Sequence, residues 1–183
     1  ARSMLRVLIV VVATLALASA VPIVTDAKPT LMGNLTHQLL KGPLHASCKM
    51  TMDFSSTSCA NVLSALKAAI TKYSGQGACA IYGGEKCLYT LSSSTSTQLK
   101  AVHETPTKHY KDDLTFDLTG SGDTTASCSV AAFSTSETWY AHLDYGTNYC
   151  NLVNLAGATG YEFTQTVSDE TCTQYSSSDC SKY

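Results

Sequence analysis

Ala46-Ser47-Cys48-Lys49-Met50-Thr51-Met52-Asp53-Phe54, followed by Ser55-Ser56-Thr57-Ser58 and then the run Cys59 to Tyr73, decides the fold class of this chain. In the first part Cys48, Met50, Met52 and Phe54 alternate with Lys49, Thr51 and Asp53. Period-two alternation of this kind is the mark of a strand with one dry face. The four hydroxyl residues that follow offer N-cap acceptors. From Cys59 onward Val62, Leu66, Ala69, Ile70 and Tyr73 fall on one helical stripe, with Lys67 and Lys72 off it. A strand dry on one face and a helix dry along one stripe bury those surfaces against each other, which predicts an α+β architecture.

Working outward toward the C-terminus, Gly75 and Gly77 are expected to stop the helix. Cys79 to Leu91 reads as a hairpin with a three-residue loop centred on Gly83, which would set Cys79 opposite Cys87 and give Gly84 the left-handed position. A two-residue Gly-Gly turn is the competing arrangement and would put the two cysteines out of register. Leu99 to His103 is expected as a strand and Glu104 to Thr107 as a break. His109 to Thr119 follows as a strand with Tyr110, Asp112, Leu114, Phe116 and Leu118 on one face. A turn at Gly120-Ser121-Gly122-Asp123 leads to a paired strand, Ser127 to Thr135, expected to continue through Glu137-Thr138-Trp139-Tyr140. A short helix is predicted over Asn148 to Ala156, capped by Thr147 and ended by Gly157. Gly160 to Ser168 is read as a last strand. The expected fold is therefore one main helix plus a short second helix on an antiparallel sheet of about five or six strands, spanning 46–183 as a single disulfide-stapled domain.

Working outward the other way, residues 21–45 hold Pro22, Pro29 and Pro43 without sustained periodicity and read as an N-terminal arm. Before it, Arg6, the apolar run from Val7 to Leu17 and the small residues Ala18-Ser19-Ala20 have the three parts of a cleavable signal peptide over 1–20. The run is short of the roughly 20 apolar residues that a span needs. A secreted protein with no membrane span after cleavage is the expectation. Asn34-Leu35-Thr36 is a glycosylation sequon, making Asn34 a candidate glycan site.

The eight cysteines are Cys48, Cys59, Cys79, Cys87, Cys128, Cys150, Cys172 and Cys180. An even set behind a secretion signal reads as a disulfide framework. No Cys-x-x-Cys is present and no cysteine and histidine have zinc spacing, so no metal and no cofactor are expected. Proximity along the chain suggests the pairs Cys79–Cys87 and Cys172–Cys180. A net charge of -2 with 12 scattered Lys and Arg residues offers no basic stripe for phosphates, which argues against nucleic acid as a partner.

The residues that could carry function are few. Asp112 sits on the apolar face of its strand beside Asp113, and a carboxylate there must be paired or its pKa rises. Asp144, Gly146 and Asn148 form a second polar group, readable as helix-cap chemistry. Trp139, Tyr140 and Tyr145 are placed to line an apolar or glycan-binding cleft. His103, His109 and His142 are available as acid/base partners, but no nucleophile elbow surrounds Ser134 or Ser136.

Three phrases carry a family resemblance: Tyr110-Lys111-Asp112-Asp113-Leu114-Thr115-Phe116, Ala132-Phe133-Ser134-Thr135-Ser136, and Asp144-Tyr145-Gly146-Thr147-Asn148. In order and approximate spacing they resemble the domain of unknown function 1499 family, and more closely its secreted, cysteine-rich relatives from algae, protists and marine invertebrates. The resemblance implies a helix against an antiparallel sheet. The arginines that follow the family's Ser-x-Ser and Asn positions are Glu137 and Tyr149 here. The resemblance therefore implies an architecture and no activity. The function expected from the sequence is a non-enzymatic extracellular binding or structural module for an apolar or glycan ligand. A hydrolase using Asp112, Asp144 and a histidine, and a self-associating subunit of an extracellular assembly, are the alternatives.

Overall fold

The computed structural model describes residues 45–120 and 127–183. The leader, Asn34, all of the arm but His45, and most of the turn expected at 120–123 lie outside the described residues. Among them the chain forms β1 (Ser47–Phe54), α1 (Cys59–Lys72), α2 (Gly75–Tyr82), β2 (Tyr89–Ser94), β3 (Gln98–Glu104), β4 (Lys111–Thr119), β5 (Cys128–Ser136), α3 (Thr147–Ala158) and β6 (Thr164–Thr166), with a 3₁₀ turn at Tyr175–Ser177. The strands make one antiparallel sheet in the order β2-β3-β4-β5-β1-β6. This is the α+β class that the alternation and the helical stripe predict.

The sheet has one dry face. Its rows, read across the register, begin with Cys128 and Phe54, then Leu118, Val130 and Met52, then Leu99, Phe116, Ala132 and Met50. All of these are buried. Val62, Leu66, Ala69 and Ile70 of α1 and Leu152 and Leu155 of α3 pack on this face and complete the core. Helix α1 starts where the hydroxyl cluster predicts, with Ser58 Oγ accepting the Asn61 amide at 3.3 Å.

Several expectations are corrected. Residues 75–82 are helical, not the first arm of a hairpin. The chain reverses after them at Gly83 and Gly84, so the Cys79–Cys87 disulfide ties a helix to the approach of β2 instead of bridging two strands. Strand β5 ends at Ser136, and 137–140 leaves the sheet. Strand β6 is only three residues, because it meets β1 only at Thr51 to Asp53. Helix α3 runs two residues past the expected Ala156 and includes Gly157.

The expected Cys172–Cys180 pair does not form. Residues 171–173 run beside the start of β1, where the Lys49 amide donates to the Thr171 carbonyl and the Thr173 amide to the Ser47 carbonyl. That places Cys172 against Cys48 and leaves Cys180 to Cys150 on α3. Cys59–Cys128 joins the start of α1 to β5.

Candidate functional site

At one end of the dry face the last row turns polar. Tyr89, His103, Asp112 and Ser136 stand directly opposite one another on β2, β3, β4 and β5. The first three are buried, Asp112 with only 3% of its surface exposed. Ser134, one row in, is also buried. Alternation along each strand dictates the row: the same period that aims Leu114 and Phe116 inward aims Asp112 inward too.

Helix α3 supplies the partners. Asn148 and Asn151, one turn apart, face the polar row, while Leu152 and Leu155 face the apolar rows. Asn151 Nδ2 donates to Asp112 Oδ2 at 2.8 Å, and Ser136 Oγ donates to Asp112 Oδ1 at 2.8 Å. The Tyr89 hydroxyl donates to Asn151 Oδ1 at 3.3 Å. Ser134 Oγ donates to Asn148 Oδ1 at 2.6 Å, and Asn148 Nδ2 donates to Asp144 Oδ2 at 2.8 Å and to Ser136 Oγ at 3.1 Å. Asp144 also caps α3: its carboxylate accepts the amides of Gly146 at 3.1 Å and Asn148 at 3.0 Å. The capping side chain is therefore Asp144, as the Asp144-Gly146-Asn148 group suggests, with Gly146 at the N-cap position; Thr147, the other expected cap, is the first residue of the helix. Burial raises the pKa of both aspartates, most strongly opposed at Asp112 by Ser136 and Asn151 and at Asp144 by Asn148.

The row opens into a cleft of about 500 Å³. Tyr110, Tyr140, Tyr145 and Tyr183 line it, with Glu85, Asp112 and Asp144 among its polar groups. Glu85 comes from the turn after α2. Its carbonyl accepts His103 Nε2 at 2.9 Å and the Cys87 amide at 2.8 Å, which fixes the turn over the end of the sheet. Its Oε2 is buried and has no donor among the described residues. Burial, then the charge of Asp112, push Glu85 up to about 7. His103 is held neutral, with burial lowering its pKa to about 4. Among the described residues its Nδ1 is buried without a partner.

The C-terminal segment builds the remaining wall. Gln174 Oε1 accepts the amides of Asp144 at 3.0 Å and Tyr145 at 2.8 Å. Lys86 Nζ donates to the Cys180 carbonyl at 2.8 Å, and the Tyr183 ring stacks on Tyr145 at 6.3 Å. Two glycines admit this segment. At Gly146, φ is +80° and a Cβ would stand 2.4 Å from Ser178 Cβ; at Gly84, φ is +59° and a Cβ would stand 2.8 Å from the Ser181 carbonyl oxygen.

Of the residues singled out in the sequence, Asp112, Tyr140, Asp144 and Tyr145 line the cleft, and Asn148 holds Asp144 directly and Asp112 through Ser136. Asp113 alternates to the opposite, exposed face of the sheet. Trp139 is 83% exposed and packs edge-on against Tyr140 instead of lining the cleft. The three histidines do not meet: His103 lies in the polar row, His109 pairs with Glu104 at 2.6 Å on the surface, and His142 lines the cleft. Glu85, Asn151 and Tyr183 were not anticipated. The spacing of Asn148 and Asn151 on one helix face was the available signal for Asn151. Nothing local marks Glu85 or Tyr183.

Among the described residues no helix is long and apolar enough to cross a membrane, and no three His, Cys, Asp or Glu side chains are placed to hold a metal ion. No family model, curated protein or solved structure matches the chain.

Proposed function

We propose that this protein is an extracellular binding module that takes a glycan in the tyrosine-walled cleft. The observation that carries the reading is the combination of four tyrosines with two carboxylates, Asp112 buried and Asp144 half-buried, each fixed by its own donors. A sugar ring presents an apolar C–H face to an aromatic ring and hydroxyls around its edge. Fixed acceptors beside exposed rings recognise both surfaces without having to reorganise. Four disulfides and the leader-like first 20 residues support an oxidising, extracellular setting.

Kinship with the domain of unknown function 1499 family belongs to the same proposal. It is supported by convergence: Asp112, Ser134, Ser136, Asp144 and Asn148, drawn from all three phrases that carry the resemblance, join one hydrogen-bonded network. Self-association is the second reading, favoured by the exposed apolar residues Trp139, beside the cleft, and Leu143, on its wall.

The test is a printed array of extracellular glycans, probed with the purified, disulfide-intact protein and with Tyr145→Ala. Retention of a defined glycan, weakened about tenfold by the substitution, is the expected result. An array that retains nothing removes the glycan reading. Light scattering of the same sample decides self-association.

A further inference from the structure

Two carboxyl groups face the same cleft from different elements and in opposite circumstances. Asp112, on β4, has a donor on each oxygen, Ser136 and Asn151. Those donors favour the ionised form. Glu85, on the turn before β2, keeps a buried Oε2 with no donor among the described residues. A buried acceptor left bare is costly in a site built for binding alone. Of the two, Glu85 is the one placed to keep a proton and Asp112 the one whose charge has donors to hold it. Two carboxyls held apart in protonation at a sugar-sized cleft form the pairing that glycoside cleavage needs.

We propose that the cleft hydrolyses a glycosidic bond of the glycan it binds, with Glu85 as general acid and Asp112 as general base. The assignment rests on the glycan-binding reading above. Glu85 gives its proton to the bridging oxygen as the bond from that oxygen to the anomeric carbon breaks. A water oxygen bonds to the same carbon and its proton passes to Asp112. Solvent then returns a proton from Asp112 to Glu85, so that the sum is glycoside plus water giving two alcohol-bearing products with no redox change. Asp112 is 3% exposed and carries a donor on each oxygen, which suits it to taking a proton from water more than to bonding the anomeric carbon. The step is therefore assigned as direct attack by water with inversion at the anomeric carbon.

The other charged or titratable groups at the cleft do not compete for the role. Asp144 is occupied by the amides of Gly146 and Asn148 and by Asn148 Nδ2. His103 is buried beside Glu85 as a neutral ring with its Nε2 committed to the Glu85 carbonyl. Lys108, His142 and the Tyr183 phenol lie on the walls.

The experiment uses the full disulfide-bonded chain and the glycan that the array retains. The glycan is incubated with wild-type protein, products are read by mass spectrometry, and the first-formed anomer is read by proton NMR. Expected are cleavage of one glycosidic bond, the inverted anomer, and a rate that falls as pH rises through about 7, where Glu85 loses its proton. E85Q should still retain the glycan but turn it over at least about 100-fold more slowly. A glycan that binds wild type and stays intact overturns the hydrolysis and leaves the binding reading standing. E85Q turning over at the wild-type rate overturns the assignment to Glu85, and a retained anomer overturns the role of Asp112. Absence of any bound glycan defeats the binding reading and the hydrolysis together. The wild-type product assay needs no variant to fold.

Discussion

Asp112 carries a carboxylate into a site with 3% exposure, and two neutral donors make that tolerable. Asn151→Leu keeps the approximate volume and removes one of them. The freed Oδ2 then loses its partner in a buried site, which costs about 1–3 kcal/mol. Urea denaturation of the variant should show that loss in its midpoint, whereas Asn61→Leu on the exposed side of α1 should change little. Glu85 makes a second prediction at the same scale. Its pKa rises from 4.5 to about 7 on folding, so its stabilising contribution is full below 4.5 and is lost as pH rises through 7. His103 has the opposite sign: its pKa falls from 6.5 to about 4, so its contribution is full above 6.5 and is lost as pH falls through 4. Between 4.5 and 6.5 the two slopes oppose. Glu85→Gln removes the first, so its stability should climb more steeply with pH across that interval than that of the wild type. Parallel curves from urea titrations at several pH values would show that Glu85 titrates as an ordinary surface glutamate.

At the scale of elements, helix α3 is the part whose sequence does two jobs. Its apolar residues, Leu152 and Leu155, hold it to the sheet, while Asn148 and Asn151 satisfy the polar row. Its first turn is secured by Asp144 rather than by a residue at the cap itself. Asp144→Ala removes the side-chain acceptors of two backbone amides and should cost about 1–2 kcal/mol, read as a lower midpoint in thermal unfolding. Gly146→Ala should cost more than the roughly 1 kcal/mol of a positive-φ penalty alone, because the added Cβ meets Ser178 at 2.4 Å. Strands β1, β3, β4 and β5 and helix α1 were legible in the sequence, because each has enough residues of one period to identify its dry face. Helix α2 was not. Its eight residues include two glycines and bury only Ala78, so the periodic signal is weak and the cysteine spacing suggested a hairpin instead.

For the molecule as a whole, the cross-links differ most in the length of chain they close. Cys48–Cys172 joins residues 124 apart and Cys79–Cys87 residues 8 apart. Loop-closure entropy assigns about 5 kcal/mol to the first and about 2.5 kcal/mol to the second. Replacing each pair with alanines should reproduce that order in guanidinium unfolding. Cys150–Cys180 has a different consequence, since it holds the segment that carries Tyr183 to the cleft. Its replacement should raise amide exchange at 179–183 while the amides of β4 and β5 stay protected, and should weaken any ligand that stacks on Tyr183. The sequence by itself determined which residues of the long strands and of α1 turn inward, Asp112 included, and that a two-layer α+β fold would bury them. Period is a local property, visible within ten residues. The Cys79–Cys87 pair was also legible, from its spacing. Only the tertiary structure decided how the other six cysteines pair, that His103 and Asp112 share one row with Tyr89 and Ser136, and that Glu85 and Tyr183 arrive at the cleft. Those outcomes depend on strand register and on where two irregular segments pack, and both are set by contacts between residues far apart in the chain.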